Sequence, residues 1–244
     1  MPELKLIHGE AIEQMRSLET ASFDGVITDP PYIIGAISVG NSSAKTGTWV
    51  DMENAAWWFA EWFRQSARVL KPTGYLCVFG NWRSLPTIIC ALAKVDLSAT
   101  SCMVWDKQWI GPAGPQQLRP TWELVVWVAM DKAIIKDRSL SDVWRCKWMA
   151  GNNGVHHPAE KPVALMRSII TAATPPNGLV LDPFMGSGST GVAALSAGRQ
   201  FVGIEKDEKH FATAQQRLKE VQPDMLEHLM VDVPESSPGT NAMP

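Results

Sequence analysis

The sequence predicts an α/β fold with a mostly parallel central sheet and helices on both faces. Short apolar runs alternate with segments whose apolar residues recur at helical spacing, the pattern of strand–helix units. Two of the apolar runs end in loops that combine an acid with prolines or glycines, at 29–32 and 182–190. The 244 residues, 45% hydrophobic and 19% charged, are enough for one large domain with a buried core.

Charge and cysteine content narrow the class of protein. The net charge is −3, so there is no global basic field, and any contact with nucleic acid must come from local patches. The four cysteines are scattered without paired spacing, which favours reduced thiols over disulfides or a metal site. The first ten residues lack the apolar stretch of a signal peptide, and no apolar run is long enough to span a bilayer. We therefore expect a soluble, cytoplasmic protein.

Five strands and three helices are predicted in the first half of the chain. The strands are expected at 4–7, 23–28, 75–79, 99–105 and 124–130, and the helices at 10–18, 54–70 and 86–94. An aromatic stripe on the helix at 54–70 is interpreted as core packing; its members are Trp57, Trp58, Phe59, Trp62 and Phe63. Residues 33–50 are rich in Gly, Ser and Thr and predict a long loop.

The second half begins with an irregular segment and ends in a loosely held tail. Residues 132–153 show no clean period. Helices are then expected at 162–173, 189–197 and 207–221, and strands at 179–181 and 201–204. Prolines, serines and small residues beyond Pro223 indicate a flexible tail.

The strand at 23–28 leads into the run Asp29-Pro30-Pro31-Tyr32. Proline donates no ladder hydrogen bond, so the strand must end there, and Asp29 and Tyr32 are expected at its carboxyl end, where open α/β sheets bind ligands. An acid, a rigid carbonyl and an aromatic ring together suit a planar group that bears an amino nitrogen. Taken alone, the run fits equally well a strand-terminating turn with a buried tyrosine.

The run Asp182-Pro183-Phe184-Met185-Gly186-Ser187-Gly188-Ser189-Thr190 follows a second strand and opens a helix. Its glycines allow a ligand to approach the backbone, and the amides of a helix N-terminus can bind an anionic group. Glu205 ends the next strand, placed to accept hydrogen bonds from ribose hydroxyls. Because Gly186-x-Gly188-x-x-Gly191 also satisfies the weak dinucleotide fingerprint, these residues indicate an adenosine-containing cofactor without identifying it.

In combination, the two runs resemble those of the amino-group DNA methyltransferases that use S-adenosylmethionine. The acid-proline-proline-tyrosine run precedes the cofactor loop, as in the permuted class called beta. Two further segments resemble family motifs: His157-Pro158-x-Glu160-Lys161-Pro162, which in the family lines the methionine end of the cofactor, and Val104-Trp105-Asp106-Lys107. The resemblance covers roughly residues 4–218 and implies a Rossmann-like methyltransferase fold, circularly permuted, with a small target-recognition insertion.

The resemblance also implies a role for each site residue. Catalysis is expected from Asp29, Pro30, Pro31 and Tyr32. The expected cofactor-binding residues are Glu10, Asp29, His157, Lys161, Pro162, Asp182, Pro183, Phe184, Gly186, Ser187, Gly188, Ser189, Thr190, Glu205 and Lys206. Glu10 is the departure among them, because the family more often has Gly-Asp where this chain has Gly9-Glu10.

Contacts with double-stranded DNA are expected from the irregular segments. The candidate residues are Arg119, Arg138, Arg145 and Lys147. The alternative is a solvated surface with two half-buried tryptophans, Trp144 and Trp148.

The predicted organisation is a single methyltransferase domain over 1–222. It consists of a catalytic half over about 1–130, a recognition insertion over about 131–157 and a cofactor-binding half over about 158–222, and the tail 223–244 follows. The aromatic helix at 54–70 is also available for a homodimer.

The expected reaction is methylation of the N6 amino group of adenine. The lone pair of such an amino group is delocalised into the ring; Asp29 and the Pro30 carbonyl would accept its hydrogens and aim the lone pair at the sulfonium methyl for direct in-line transfer. The base must first be flipped out, at a cost of a few kcal/mol, and stacking on Tyr32 returns about 1–3 kcal/mol.

Other functions remain open from the sequence. In this family an Asp at the position of Asp29 occurs mostly with adenine, and the N4 amino group of cytosine is the alternative target. RNA and protein-glutamine methyltransferases carry a similar run after the cofactor loop, an order this chain does not have. The alternatives from different classes are a non-catalytic module that binds a nucleotide or nucleic acid, and a nicotinamide oxidoreductase, which leaves the run at 29–32 unexplained.

Overall fold

A computed structural model describes residues 4–31, 52–148 and 160–221. Eight strands lie in these ranges: β1 (Leu4–His8), β2 (Phe23–Thr28), β3 (Leu70–Gly80), β4 (Ser101–Asp106), β5 (Trp122–Ala129), β6 (Val143–Arg145), β7 (Leu179–Asp182) and β8 (Gln200–Glu205). The helices of the same ranges are α1 (Ala11–Arg16), α2 (Met52–Val69), α3 (Leu85–Ala93), α4 (Val163–Ala173), α5 (Ser189–Ser196) and α6 (Glu208–Lys219).

All eight strands form one sheet in the order β1-β8-β7-β2-β3-β5-β4-β6. The first five of these strands run parallel, and β6 is parallel to β4. β5 runs antiparallel to both β3 and β4, because the connection from β4 to β5 contains no helix that would carry the chain back across the sheet. The predicted mostly parallel sheet is confirmed.

Helices cover both faces of this sheet, as predicted. The buried side chains of α1, α2 and α3 share one core with the sheet, and those of α4, α5 and α6 share the other. The aromatic stripe of α2 lies largely in the first core, where Phe59, Trp62 and Phe63 are buried. Trp57 departs from that interpretation: its side chain is 56% exposed, and the Lys94 ammonium lies 4.1 Å from its ring centroid.

The sheet brings together loops that are far apart along the chain. β2 pairs with β7 through Gly25 with Val180 and Val26 with Leu181. Because these strands are parallel, their carboxyl ends meet at one edge of the sheet, together with those of β1, β8 and β3. Residues 29–31 and the loop after β7 are therefore neighbours in space, although more than half of the sequence separates them.

Several boundaries differ from the sequence prediction. β3 begins at Leu70, directly after α2, rather than at Tyr75. The segment at 132–153, which has no clean period, contains the short edge strand β6. The predicted loop at 33–50, the rest of the predicted insertion from 149 to 157, and the tail 223–244 lie outside the described residues. Within the described ranges, no helix is both long and apolar enough to cross a membrane.

Candidate active site

The carboxyl ends of β2 and β7 carry the first part of the site. Asp182, at the end of β7, is 2% exposed. Its carboxylate accepts hydrogen bonds from the Thr28 hydroxyl (2.6 Å), the Thr190 hydroxyl (2.5 Å) and the backbone amide of Phe184 (3.0 Å). Burial raises the pKa of Asp182 to about 6; these donors oppose the rise, and the charge of Asp29 adds to it. Asp182 thus ties β2, its own loop and the start of α5 together.

Asp29 follows β2 and differs from Asp182 in its partners. Its Oδ2 lies 2.5 Å from the Lys161 ammonium. Its Oδ1 is buried and has no hydrogen-bond partner among the described residues. A buried carboxylate oxygen normally accepts a hydrogen bond, so Oδ1 is able to accept one from a bound ligand.

Lys161 belongs to a row of charges that extends away from Asp29. Its side chain is 8% exposed, and its ammonium also lies 3.5 Å from Oε2 of Glu123 in β5. The other oxygen of Glu123, Oε1, pairs with the ammonium of Lys107, just after β4. Burial by itself would lower the pKa of Lys161, but the charges of Asp29 and Glu123 outweigh it and raise that pKa above the usual range. Lys161 is therefore a cation beside Asp29.

The loop after β7 has the backbone geometry of a cofactor cradle. Gly186 and Gly188 have φ angles of +52° and +88°, in the left-handed region that side chains disfavour. A β-carbon at Gly186 would meet no heavy atom within 4 Å, so a ligand can approach the backbone there. Ser187, Ser189 and Thr190 are buried around this turn.

Glu205, at the end of β8, stabilises the same loop through hydrogen bonds. Its Oε2 accepts a hydrogen bond from the Gly186 amide (3.0 Å), and its Oε1 accepts one from the Asp207 amide (2.7 Å). The side chain remains partly exposed, and a carboxylate has further lone pairs with which to accept ribose hydroxyls. Its position at the carboxyl end of β8 is the one predicted.

Arg217 in α6 connects two of the predicted cofactor segments. Its guanidinium donates to the Ser187 carbonyl oxygen (2.8 Å) and hydroxyl (3.1 Å), and it pairs with Glu160 at 2.5 Å. Both charged side chains are largely buried. The loop after β7 and the segment that precedes Lys161 are thereby fastened to each other.

The other predicted cofactor residues occupy varied positions. Glu10 is exposed and caps α1 by accepting from the amides of Ile12 (2.9 Å) and Glu13 (3.3 Å). Pro162 precedes α4, and Lys206 is exposed after β8. Phe184 is half-buried against Trp58 and Trp62, and Pro183 is buried beside it. Tyr32 and His157 lie outside the described residues, so their predicted roles stay predictions.

The predicted DNA-contacting residues are all exposed. Arg119 already donates to the carbonyl oxygens of Gly111 (2.9 Å) and Ile110 (3.1 Å), which holds the β4–β5 connection together. Arg145 lies 3.7 Å from Asp106. Arg138 and Lys147 lie on the same part of the chain, the segment 131–148.

The two tryptophans of that segment differ in environment. Trp144 is 2% exposed and donates from Nε1 to the Ser141 carbonyl oxygen (2.8 Å). Trp148 is half-buried, with its ring centroid 4.6 Å from that of Trp109. Trp144 is thus a core residue, and Trp148 remains near the surface.

The structure adds Thr28, Glu123 and Arg217 to the residues that contact the predicted site, and the sequence did not predict them. A signal for Glu123 exists in the sequence, since it is an acid at the start of the apolar run that forms β5. Thr28 and Arg217 give no such signal, because a strand threonine and a helical arginine are ordinary in those elements.

Comparison with known proteins places this geometry in a family. Residues 23–216 match the family model of the N6/N4 DNA methylases, described as DNA methylase, and the chain belongs to this family. The YubD protein of Escherichia coli (strain K12) is 32% identical over 221 residues, which cover 91% of this chain and 92% of that protein. The type II methyltransferase M.HinfI of Haemophilus influenzae is 25% identical over 248 residues, which cover 90% of this chain and 69% of that protein.

Solved structures agree with this assignment. The complex of M1.HpyAVI with S-adenosylmethionine has a TM-score of 0.66 and 28% identity, over 88% of this chain and 100% of that one. The PvuII DNA methyltransferase, described as cytosine-N4-specific, has a TM-score of 0.72 and 17% identity over 93% of each chain, which shows the shared fold. The chain is therefore a site-specific DNA methyltransferase, an amino-methyltransferase of the restriction–modification type, and its cofactor is S-adenosylmethionine.

Proposed function

We propose that this enzyme methylates the exocyclic N6 amino group of adenine within a specific duplex DNA sequence. The observation that carries the proposal is the state of Asp29: one oxygen pairs with Lys161, and the other is buried with no partner among the described residues. An amino group is the kind of donor that such an oxygen lacks.

The residues around Asp29 support direct transfer without a covalent enzyme intermediate. S-adenosylmethionine supplies an electrophilic methyl group. Asp29 Oδ1 and the Pro30 carbonyl accept the two amino hydrogens of the base, which localises the nitrogen lone pair and orients it for in-line attack. Lys161 pairs with one oxygen of Asp29, so that the other oxygen is the hydrogen-bond acceptor and a potential recipient of the proton that the methylated nitrogen loses.

The base must leave the duplex to reach this position. The expected cost of flipping is a few kcal/mol, which stacking on Tyr32 offsets in part. The carboxyl edge of the sheet supports the proposal, because Asp29 and the cofactor loop lie side by side there.

The choice of adenine depends on Asp29 itself, since the family resemblance associates an acid at that position mostly with adenine. The N4 amino group of cytosine is the second candidate. It is favoured by the shared fold with the PvuII enzyme, which is described as cytosine-N4-specific.

Sequence recognition is proposed for the segment at about 131–157, with Arg138, Arg145 and Lys147 as phosphate or base contacts and Arg119 on the neighbouring connection. Their exposure is compatible with these contacts. A homodimer through the α2 surface is a further proposal, supported by the exposed Trp57. With DNA as substrate, the enzyme is expected in the cytoplasm.

The test is transfer of a labelled methyl group from S-adenosylmethionine to unmethylated duplex DNA, with mass spectrometry of the product nucleosides. We expect N6-methyladenine from the wild type and, from Asp29→Ala, a rate lower by about 10²- to 10⁴-fold with cofactor binding retained. N4-methylcytosine as the product would overturn the choice of base. An undiminished rate in Asp29→Ala would overturn the role of Asp29.

A further inference from the structure

Four buried or half-buried charges form a row that ends at the reacting edge of the sheet. Lys107 follows β4, Glu123 lies in β5, Lys161 precedes α4, and Asp29 follows β2. The contacts run in that order, from Lys107 to Glu123, from Glu123 to Lys161 (3.5 Å), and from Lys161 to Asp29 (2.5 Å). The charges alternate in sign, so each interior member has an opposite charge on either side.

Because the side chains of the row are largely buried, each charge depends on its oppositely charged neighbours. The Lys161 side chain is 8% exposed, and those of Lys107 and Glu123 are 15% exposed. An ion removed from water to this extent needs a compensating partner, and removal of one member takes one such partner from each of its neighbours. Glu123 uses Oε1 for Lys107 and Oε2 for Lys161, so it holds the two ammonium groups on opposite sides of one rigid carboxylate.

The last contact of the row decides which oxygen of Asp29 is occupied. A carboxylate can rotate about its Cβ–Cγ bond and exchange its two oxygens. Lys161 holds Oδ2, which leaves Oδ1 without a partner among the described residues. The position of the Lys161 ammonium, set in turn by Glu123, therefore fixes the direction in which the remaining lone pairs of Asp29 point.

We propose that Glu123 is a positioning residue for methyl transfer. It acts through Lys161, which it holds against Asp29 so that one Asp29 oxygen is fixed and the other accepts the target amino group. Glu123 itself does not touch the base. This inference rests on the proposed role of Asp29, and it adds a residue from a different strand to the determinants of the reaction rate.

A second acid–lysine pair in the same sheet provides a matched control. Asp24, in β2, accepts from the Lys71 ammonium (2.8 Å) and from the Leu179 amide (2.9 Å). It lies near the start of the strand that Asp29 follows, at the opposite edge of the sheet from the cofactor loop. A change at Asp24 therefore disturbs an ion pair between β2 and β3, in which the acid is buried and the lysine partly exposed, without reaching the reacting edge.

The experiment compares Glu123→Gln with Asp24→Asn in single-turnover methylation of duplex DNA at saturating cofactor and DNA. Both substitutions remove a charge and keep the shape of the side chain. We expect Glu123→Gln to lower the single-turnover rate constant by about 10- to 100-fold, the cost of slight misplacement of a reacting group. The Kd values for S-adenosylmethionine and for DNA should stay unchanged, and Asp24→Asn should keep the wild-type rate constant.

Each outcome decides a specific point. A wild-type rate constant in folded Glu123→Gln would overturn the inference, as would a loss confined to the Kd for cofactor or DNA. An equal loss in Asp24→Asn would overturn it too, by showing a general effect of instability. A wild type that methylates no DNA amino group would refute the proposed function instead, before any variant is compared.

A double variant covers the case in which Glu123→Gln does not fold. Without the Glu123 carboxylate, the Lys107 and Lys161 ammonium groups repel each other with no negative charge between them, and Lys161 keeps only Asp29 of its two acids in the row. Lys107→Met removes one of them, so Glu123→Gln/Lys107→Met should fold and still lack the anchor of Lys161. A low rate constant in this double variant supports the inference, and a wild-type rate constant overturns it.

Discussion

Asp24 and Asp29 stand near the two ends of the same strand, and each pairs with a lysine, yet their environments differ. At the amino end of β2, Asp24 accepts from Lys71 in β3 and from the backbone amide of Leu179 in β7, so it joins three strands. At the carboxyl end, Asp29 pairs with Lys161 through one oxygen, and its other oxygen is buried with no partner among the described residues.

The difference sets an acid whose partners all belong to the fold apart from one that we propose serves the reaction. A buried polar atom without a hydrogen bond costs about 1–3 kcal/mol, so a fold under selection for stability alone would satisfy it. The carboxyl edge carries this cost where a substrate amino group can remove it. At the amino edge, Asp24 is instead bound by internal contacts, with the Lys71 ammonium and the Leu179 amide.

Removal of Asp24 should affect stability and leave the chemistry unchanged. Asp24→Ala leaves the Leu179 amide and Lys71 without their acceptor, and we expect the free energy of unfolding to fall by about 1–3 kcal/mol. Urea denaturation measures the fall, and single-turnover methylation well below the unfolding transition should give the wild-type rate constant. A reduced rate constant in the folded variant would contradict the claim that Asp24 affects only stability.

Two arginines, Arg217 in α6 and Arg68 in α2, differ in the same way as the two acids. Arg217 ties the cofactor loop to Glu160 at the carboxyl edge, whereas Arg68 ties together the carbonyl oxygens of Met15 (2.7 Å) and Leu18 (2.8 Å). We expect Arg217→Met to weaken S-adenosylmethionine binding by about tenfold, which corresponds to about 1.4 kcal/mol and is a fraction of the energy of a charged hydrogen bond. Isothermal titration calorimetry measures the Kd.

The matched control is Arg68→Met, which should lower stability and leave the Kd for the cofactor unchanged. If both variants bound the cofactor with wild-type affinity, Arg217 would have a structural role like that of Arg68.

Asp182 should make the stability of the fold depend on pH. Folding raises its pKa from 3.8 to about 6, so the folded state binds the proton more tightly than the unfolded state does. As the pH falls from about 6 towards 4, the wild type should therefore gain stability relative to Asp182→Asn, which cannot titrate. Urea unfolding of both proteins across this range measures the difference, and a difference that is constant with pH would show that Asp182 has an ordinary pKa.

The sequence predicted the parts of the fold whose signals are local. Prolines after Thr28 and glycines after Asp182 mark where strands end, and apolar periodicity marks the helices, so the strand–helix order and both site loops were predicted. The three-residue strand β6 was not, because it is too short to show a period and forms by pairing with β4.

The site was predictable where the residues stand in contiguous runs. Asp29 and Asp182 each stand in a sequence motif, from which both were predicted. Their proximity follows from the pairing of β2 with β7. The row from Lys107 through Glu123 to Lys161 joins three separate segments, and spacing along the chain carries no information about such a contact. The contact of Arg217 with Glu160 is likewise invisible in the spacing of residues along the chain. The roles of Tyr32 and His157 stay predictions.

The most direct test of the account is single-turnover methylation by Asp29→Asn beside Asp24→Asn, with N6-methyladenine quantified by mass spectrometry. Both variants exchange one carboxylate of the same strand for an amide. We expect Asp29→Asn to lose most of the rate while it retains cofactor binding, and Asp24→Asn to keep the rate and lose stability. Equal rates in the two variants would contradict the claim that Asp29 is the acceptor for the target amino group.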